Sequence, residues 1–186
     1  MSTSAATEPF TRTSPLTMAR VAGAFYLLVF VTGGVALALR VGSMAVAVGL
    51  VAGALYLVVT VLFYLLFRPV DKILSLAAML ISLAGIAAGP LGLKNVNPLA
   101  IFGFYCLSIA YLIFRSTFLP RFLAFLMAFA GVGWLTFLSP PLAKALAPFN
   151  FFPGLLGEGA LTAWLLVKGV DAERWLEQAG ASRQAL

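Results

Sequence analysis

The sequence predicts an all-α fold: a polytopic bundle of six transmembrane helices with both termini in the cytoplasm. Three observations carry that prediction. Of 186 residues, 62% are hydrophobic and 10% charged, with a mean hydropathy of +1.06. A soluble domain of this length has too little interior for so much apolar surface. The apolar residues also form six runs, at 20–39, 44–67, 73–90, 98–114, 122–138 and 151–168. Each is near the ~20 residues (range about 17–25) that cross a ~30 Å hydrocarbon core as a helix. Finally, the bases stand at the borders of these runs, where topology signals belong.

Taken in order, residues 1–19 are rich in Ser, Thr, Ala and Pro and read as a flexible cytoplasmic tail. The first run ends in "VALALR", which offers Ala36-x-Ala38 as a cleavage site. Its length and the polar residues ahead of it favour an uncleaved helix. The second run carries Ala45, Gly49 and Gly53 at four-residue spacing, and the third carries Gly85 and Gly89 beside Ala84 and Ala88. Small residues so spaced let membrane helices approach closely. The connection "SPPLAKALAPFNFFPG" (139–154) has room for one interfacial helical turn, with Phe149, Phe151 and Phe152 dipping toward headgroups. It reads as a connector or a lid. The sixth run holds Pro153 and three glycines in its first half. The transmembrane domain thus covers 20–170, and 171–186 form an amphipathic cytoplasmic tail with Asp171 as N-cap.

Nine bases fall on one side of this topology: Arg12, Arg20, Arg68, Lys72, Arg115, Arg121, Lys168, Arg174 and Arg183. Arg40, Lys94 and Lys144 fall on the other. The excess places both termini inside. Three similar phrases, "YLLFRPVDK" (64–72), "YLIFRSTFLPR" (111–121) and "WLLVKGVDAER" (164–174), then mark the cytoplasmic exits of the second, fourth and sixth helices. Tyr64, Tyr111 and Trp164 serve as interface anchors together with Arg68, Arg115, Arg121 and Lys168. Two readings of the repetition stand. One is a helical hairpin copied three times. The other is that interface rules write the same pattern at each exit.

Within the apolar runs one acid remains, Glu158, roughly 9 Å below the start of its helix at 1.5 Å per residue. A carboxylate at that depth costs a few kcal/mol and must face protein or water. Thr162 follows on the same face. Thr32, Ser82 and Tyr105 lie at the same depth, Tyr56, Thr60 and Tyr64 form a stripe on the second helix, and Ser108 precedes Tyr111 on the fourth. If these faces converge, they make a polar pocket in the outer half for a small amphipathic ligand, with Glu158, Thr162, Tyr105, Ser108, Tyr56, Thr60, Thr32 and Ser82 around it. The competing reading has the hydroxyls bonding their own backbone and Glu158 pairing with Arg40, Lys94 or Lys144.

With no histidine and one cysteine, Cys106, the chain cannot build a His-Cys zinc site, a His-ligated haem, a Ser-His hydrolase or a CxxC pair. No metal or cofactor is expected, and Cys106 reads as a small core residue. The +6 charge is dispersed rather than gathered in a patch, which argues against nucleic acid.

The stretch "FGFYCLSIAYLIFRSTFLPRFLAFLMAFAGVGWLTF" (102–137) with "LLGEGALTAWLLVKGV" (155–170), supported by "RVAGAFYLLVF" and "YLLFRPVDK", resembles the bacterial membrane proteins of domain-of-unknown-function family 4386 over roughly 18–175. The resemblance implies six membrane helices and a bacterial inner membrane location, but no activity. It also implies an acid near the start of the sixth helix, matched by Glu158. A Glu in the third helix and an acid after the Gly-x-Gly-aromatic motif are implied as well. Ser82 with Leu83, and Thr136, stand there instead.

Three functional classes follow. The first is a membrane protein that binds or moves a small amphipathic or lipid-like molecule. The second is a structural or accessory subunit, partnered by a second copy or by another membrane protein. The third is an intramembrane enzyme, for which one buried carboxylate is thin equipment.

Overall fold

The computed structural model of the chain describes residues 14–39, 41–92 and 97–184. Among them are eight α-helices and no strand: α1 (Pro15–Leu39), α2 (Ser43–Phe67), α3 (Lys72–Ala88), α4 (Pro98–Arg115), α5 (Arg121–Leu135), α6 (Pro140–Leu146), α7 (Phe152–Val167) and α8 (Ala172–Gln184). The starts follow local chemistry. Ser14 Oγ accepts from the Thr17 N–H at 3.1 Å ahead of Pro15. Asp71 accepts from the Leu74 N–H at 2.9 Å, and Asn97 from the Leu99 N–H at 3.0 Å just before Pro98. Because Ser14 and Pro15 open α1, the helix begins ahead of Arg20, inside the stretch expected to be a flexible tail. Arg12, Arg40 and Lys94 lie outside the described residues, as does the side chain of Arg183.

α1 packs on α2, α2 on α3, α3 on α4, α4 on α5, α5 on α7, and α7 back on α1. Six helices therefore close a ring in chain order. Four segments are long and apolar enough to cross a membrane: Pro15–Leu39, Ser43–Phe67, Pro98–Arg115 and Arg121–Leu138. α3 (17 residues) and α7 (16 residues) are equally apolar but shorter, about 25 Å at 1.5 Å per residue. Leu27, Val31, Val46, Leu50, Leu80, Phe125 and Val132 face outward and exposed. An apolar outer surface of that kind marks a protein solvated by lipid.

Glycine sets how close the helices come. A Cβ at Gly103 on α4 would lie 3.0 Å from the Gly131 carbonyl oxygen on α5, and one at Gly131 the same distance from the Gly103 carbonyl. On α7, a Cβ at Gly157 would run into the Leu126 carbonyl of α5. Of the glycines expected to form seams, Gly85 does so, since a Cβ there would lie 3.3 Å from Phe102 and 3.4 Å from Ile101 of α4, but the others behave differently. Gly49 and Gly89 face open space, and Gly53 meets only Ile86, at 3.7 Å. The α2–α3 contact is instead clamped lower down, by Thr60 and Ser82, whose hydroxyls lie 2.7 Å apart.

The three repeated phrases meet at one end of the ring. The Arg115 guanidinium is 4.0 Å from the Asp71 carboxylate, and the Asp171 N–H donates to the Phe118 carbonyl at 3.2 Å. Asp71 and Asp171 occupy equivalent positions, each capping the helix that follows. At Gly169 the backbone reaches φ +69, which favours glycine and ends α7. α8 then folds across the end. The Trp175 indole donates to the Leu66 carbonyl at 2.8 Å, and Gln178 accepts from the Thr117 N–H at 3.1 Å. Tyr64 and Trp164 are half-buried here, while Arg68, Tyr111, Arg121 and Lys168 are exposed. Arg115 lies over the Tyr111 ring at 5.9 Å and Arg121 over Phe114 at 5.3 Å.

Candidate functional site

The half of the ring nearest α8 is solid. Phe63, Leu66, Phe67, Ile109, Leu112, Ile113, Leu123, Met127, Leu161 and Leu165 fill it and are almost wholly buried. The opposite half holds a cavity of about 640 Å³, within the ~300–1,000 Å³ usual for small-molecule sites. All six ring helices and the turn Phe149–Phe151 line it, with Gly34, Leu37, Gly89, Pro98 and Leu99 toward the far end. Its walls are apolar. Tyr26, Tyr56, Trp134 and Glu158 bring the hydrogen-bonding groups to the lining.

Glu158 is buried, with 8% exposure, and two neutral donors hold it. The Tyr26 hydroxyl of α1 donates to Oε2, and the Trp134 indole N–H of α5 donates to Oε1 at 2.5 Å. The Tyr26 and Tyr56 hydroxyls lie 3.4 Å apart, so a line of polar groups runs from α7 through α1 to α2. Tyr56 is edge-on to Phe102 at 5.0 Å and to Tyr105 at 6.1 Å. The Tyr105 hydroxyl is buried and has no hydrogen-bond partner among the described residues. Close packing is what makes the carboxylate clamp: Gly154 leaves room for the Trp134 ring directly against α7, where any Cβ would collide with it.

Of the residues expected around a polar pocket, only Glu158 and Tyr56 reach the lining. Tyr105 stands behind Tyr56. Thr162 donates to the Glu158 carbonyl at 2.8 Å, Ser108 to the Phe104 carbonyl at 2.9 Å, and Thr32 to the Leu28 carbonyl at 2.7 Å. Those three satisfy their own helices, as short hydroxyl side chains do where water is scarce. Thr60 and Ser82 satisfy each other. The pocket is accordingly an apolar cup with a polar floor rather than a polar pocket. Glu158 makes no ion pair among the described residues; Lys144 is exposed on α6.

Sequence reasoning missed Tyr26 and Trp134, the two side chains that hold Glu158. Tyr26 lies deeper along α1 than a count from the outer helix ends selects. Trp134 was visible as the aromatic of "GVGW" but carried no assigned partner. The connection 139–154 also does more than join helices. Phe149 and Phe152 are exposed, whereas Phe151 turns inward onto Trp134, with ring centroids 5.6 Å apart, and lines the cavity.

Residues 96–169 match the model of a family described as a domain of unknown function (DUF4386). The chain resembles that family. No curated protein and no solved structure matches it. The DUF4386 match spans α4, α5 and α7, and so contains the Trp134–Glu158 pair together with Tyr105 and Cys106. Tyr26 and Tyr56, which complete the floor, come from helices ahead of it. Among the described residues no three His, Cys, Asp or Glu side chains come together as a metal-binding group.

A second, smaller groove of about 470 Å³ lies on the outside of the α2–α3 contact, lined by Gly49, Leu50, Gly53, Ile86 and Gly89 among others. Gly53, Ile86 and Gly89 line both spaces. Above the Thr60–Ser82 clamp, then, little more than the Gly53–Ile86 contact separates the cavity from the lipid-facing surface.

Proposed function

We propose that this chain is a multi-pass protein of the bacterial inner membrane, with six spans and both termini cytoplasmic, that holds a small amphipathic molecule in the cavity above Glu158. The observation that carries the reading is a buried carboxylate at the floor of an otherwise apolar cup. A purely structural Glu has no need of an adjoining space, and an empty apolar cavity forfeits dispersion contacts. An amphipath fits both parts, with its apolar body against the walls and its polar end at Glu158, Tyr26 and Tyr56. The bases around the three phrases support the N-in, C-in orientation, which sets the cavity in the outer half. The thin wall at Gly53 and Ile86 is the natural route of entry from the bilayer.

Trp134 supplies the test. In nanodiscs, 11-bromoundecanol is expected to quench a saturable component of the tryptophan fluorescence, and Trp134→Phe is expected to remove that component. Quenching that only tracks partition into lipid, and is unchanged in Trp134→Phe, would overturn the reading.

A second reading, an accessory subunit, is supported by the outer α2–α3 groove. Its uncovered Gly49 and Gly89 are of the kind that admit another membrane helix closely. A stoichiometric protein partner lost in Gly49→Leu would establish it. A chain that purifies alone, with Gly49→Leu behaving as wild type, would dismiss it.

A further inference from the structure

The cavity's lining chemistry names a ligand class. Six aromatic residues, Tyr26, Phe30, Tyr56, Phe102, Trp134 and Phe151, surround the space, and Glu158 is the charged residue among its lining. Among the described residues no Lys or Arg lines it. The rings pack in two groups, Tyr26 with Phe30 at 5.5 Å and Tyr56 at 5.6 Å and Tyr56 with Phe102 at 5.0 Å, and Trp134 with Phe151 at 5.6 Å, and Glu158 joins the two by accepting from both Tyr26 and Trp134. Aromatic faces are electron-rich and attract cations, most strongly where water is excluded. Among the described residues no cation pairs with the Glu158 carboxyl, which accepts from Tyr26 and Trp134 and keeps spare acceptor sites. A cation entering this space brings the carboxylate a counter-charge in a low dielectric, whereas an anion meets like charge.

Building on the ligand-holding reading above, we infer that the cavity selects lipophilic cations: quaternary ammonium or phosphonium ions, or protonated amines carrying an apolar body. The charge sits at Glu158 inside the aromatic wall, and the apolar body fills the cup toward Gly34, Leu37 and Leu99. The same arrangement disfavours fatty acids and other anionic amphipaths.

Tetraphenylphosphonium and tetraphenylborate make the test direct, because they share size and shape and differ in the sign of charge. Equilibrium dialysis of the full chain in neutral nanodiscs, corrected for empty nanodiscs, is expected to give saturable binding of the phosphonium and none of the borate. Glu158→Gln is expected to weaken phosphonium binding at least tenfold. Phe30→Leu keeps the charge and most of the apolar volume, and is expected to weaken it about three- to tenfold. It also serves as the independent variant if Glu158→Gln does not fold. Equal binding of the two ions, or phosphonium binding unchanged in both variants, would overturn the cation assignment. The bromoundecanol experiment separates the two levels. Saturable quenching of Trp134 without charge discrimination leaves the ligand-holding reading standing and removes only the cation class; absence of both effects removes both.

Discussion

Removing one oxygen atom, in Tyr26→Phe, probes the carboxylate clamp. The ring of Tyr26 is packed against Phe30, Tyr56 and Phe63, with centroids 5.5–5.7 Å apart, and phenylalanine preserves that packing. The hydroxyl is the donor to Glu158 and lies 3.4 Å from the Tyr56 hydroxyl, so its loss affects two buried groups at once. Hydrogen bonds to charged acceptors contribute about 1.5–3 kcal/mol, whereas interhelical bonds in membrane proteins average about 0.6 kcal/mol. With Oε1 still held by Trp134, a loss near 2 kcal/mol is expected. For a chain of this length that lowers the midpoint of thermal unfolding by roughly 4–8 °C. The assay is built into the protein. Cys106 is the single cysteine and is fully buried, so a thiol-reactive fluorophore in neutral detergent reports unfolding. Tyr111→Phe removes a hydroxyl from a half-exposed ring and is expected to shift stability by no more than about 0.5 kcal/mol. Equal midpoints for Tyr26→Phe, Tyr111→Phe and wild type would refute the clamp.

Three further outcomes can be checked with the same preparation. Gly157→Ala forces α7 off the Leu126 carbonyl and is expected to cost about 1–3 kcal/mol; Gly159→Ala, two positions away in open space, is expected to stabilise by up to about 1 kcal/mol. Thermal midpoints that do not separate these two variants would contradict the close α5–α7 approach. Trp175→Phe deletes the bond to Leu66 and is expected to speed hydrogen exchange over Ala172–Gln184 about fivefold, corresponding to ~1 kcal/mol, while leaving bromoundecanol quenching unchanged. Unchanged exchange in α8 would show that the helix is held otherwise. Gly53→Leu plugs the wall shared by the cavity and the outer groove and is expected to slow the onset of quenching from lipid; wild-type kinetics would place entry elsewhere.

Much of the ring was legible in the sequence, because a bilayer imposes simple rules on it. Runs of apolar residues must be helices, since lipid offers the backbone no partners. Glu158 stood out for the same reason, as the lone acid in apolar sequence. What the sequence hid was azimuth. Counting depth along helices put Thr32, Ser82 and Tyr105 level with Glu158, yet Thr32 bonds its own backbone, Ser82 bonds Thr60, and Tyr105 stands behind Tyr56. Tyr26 and Trp134 lie at other depths along their own runs and converge on Glu158 through the way α1, α5 and α7 pack. The glycine pattern misled in part: of the positions marked by spacing, Gly85 packs on α4 but Gly49 and Gly89 face open space, and the closest approaches occur at Gly103, Gly131 and Gly157. Four-residue spacing records that a face is small, not that another helix covers it.

The most direct measurement is native mass spectrometry of the protein extracted gently from its own membrane. The expected spectrum carries one small-molecule adduct per chain, which is absent from Glu158→Gln prepared in the same way. A wild-type chain at its bare mass, or an adduct equally retained by Glu158→Gln, would contradict a ligand held in the cavity above that carboxylate.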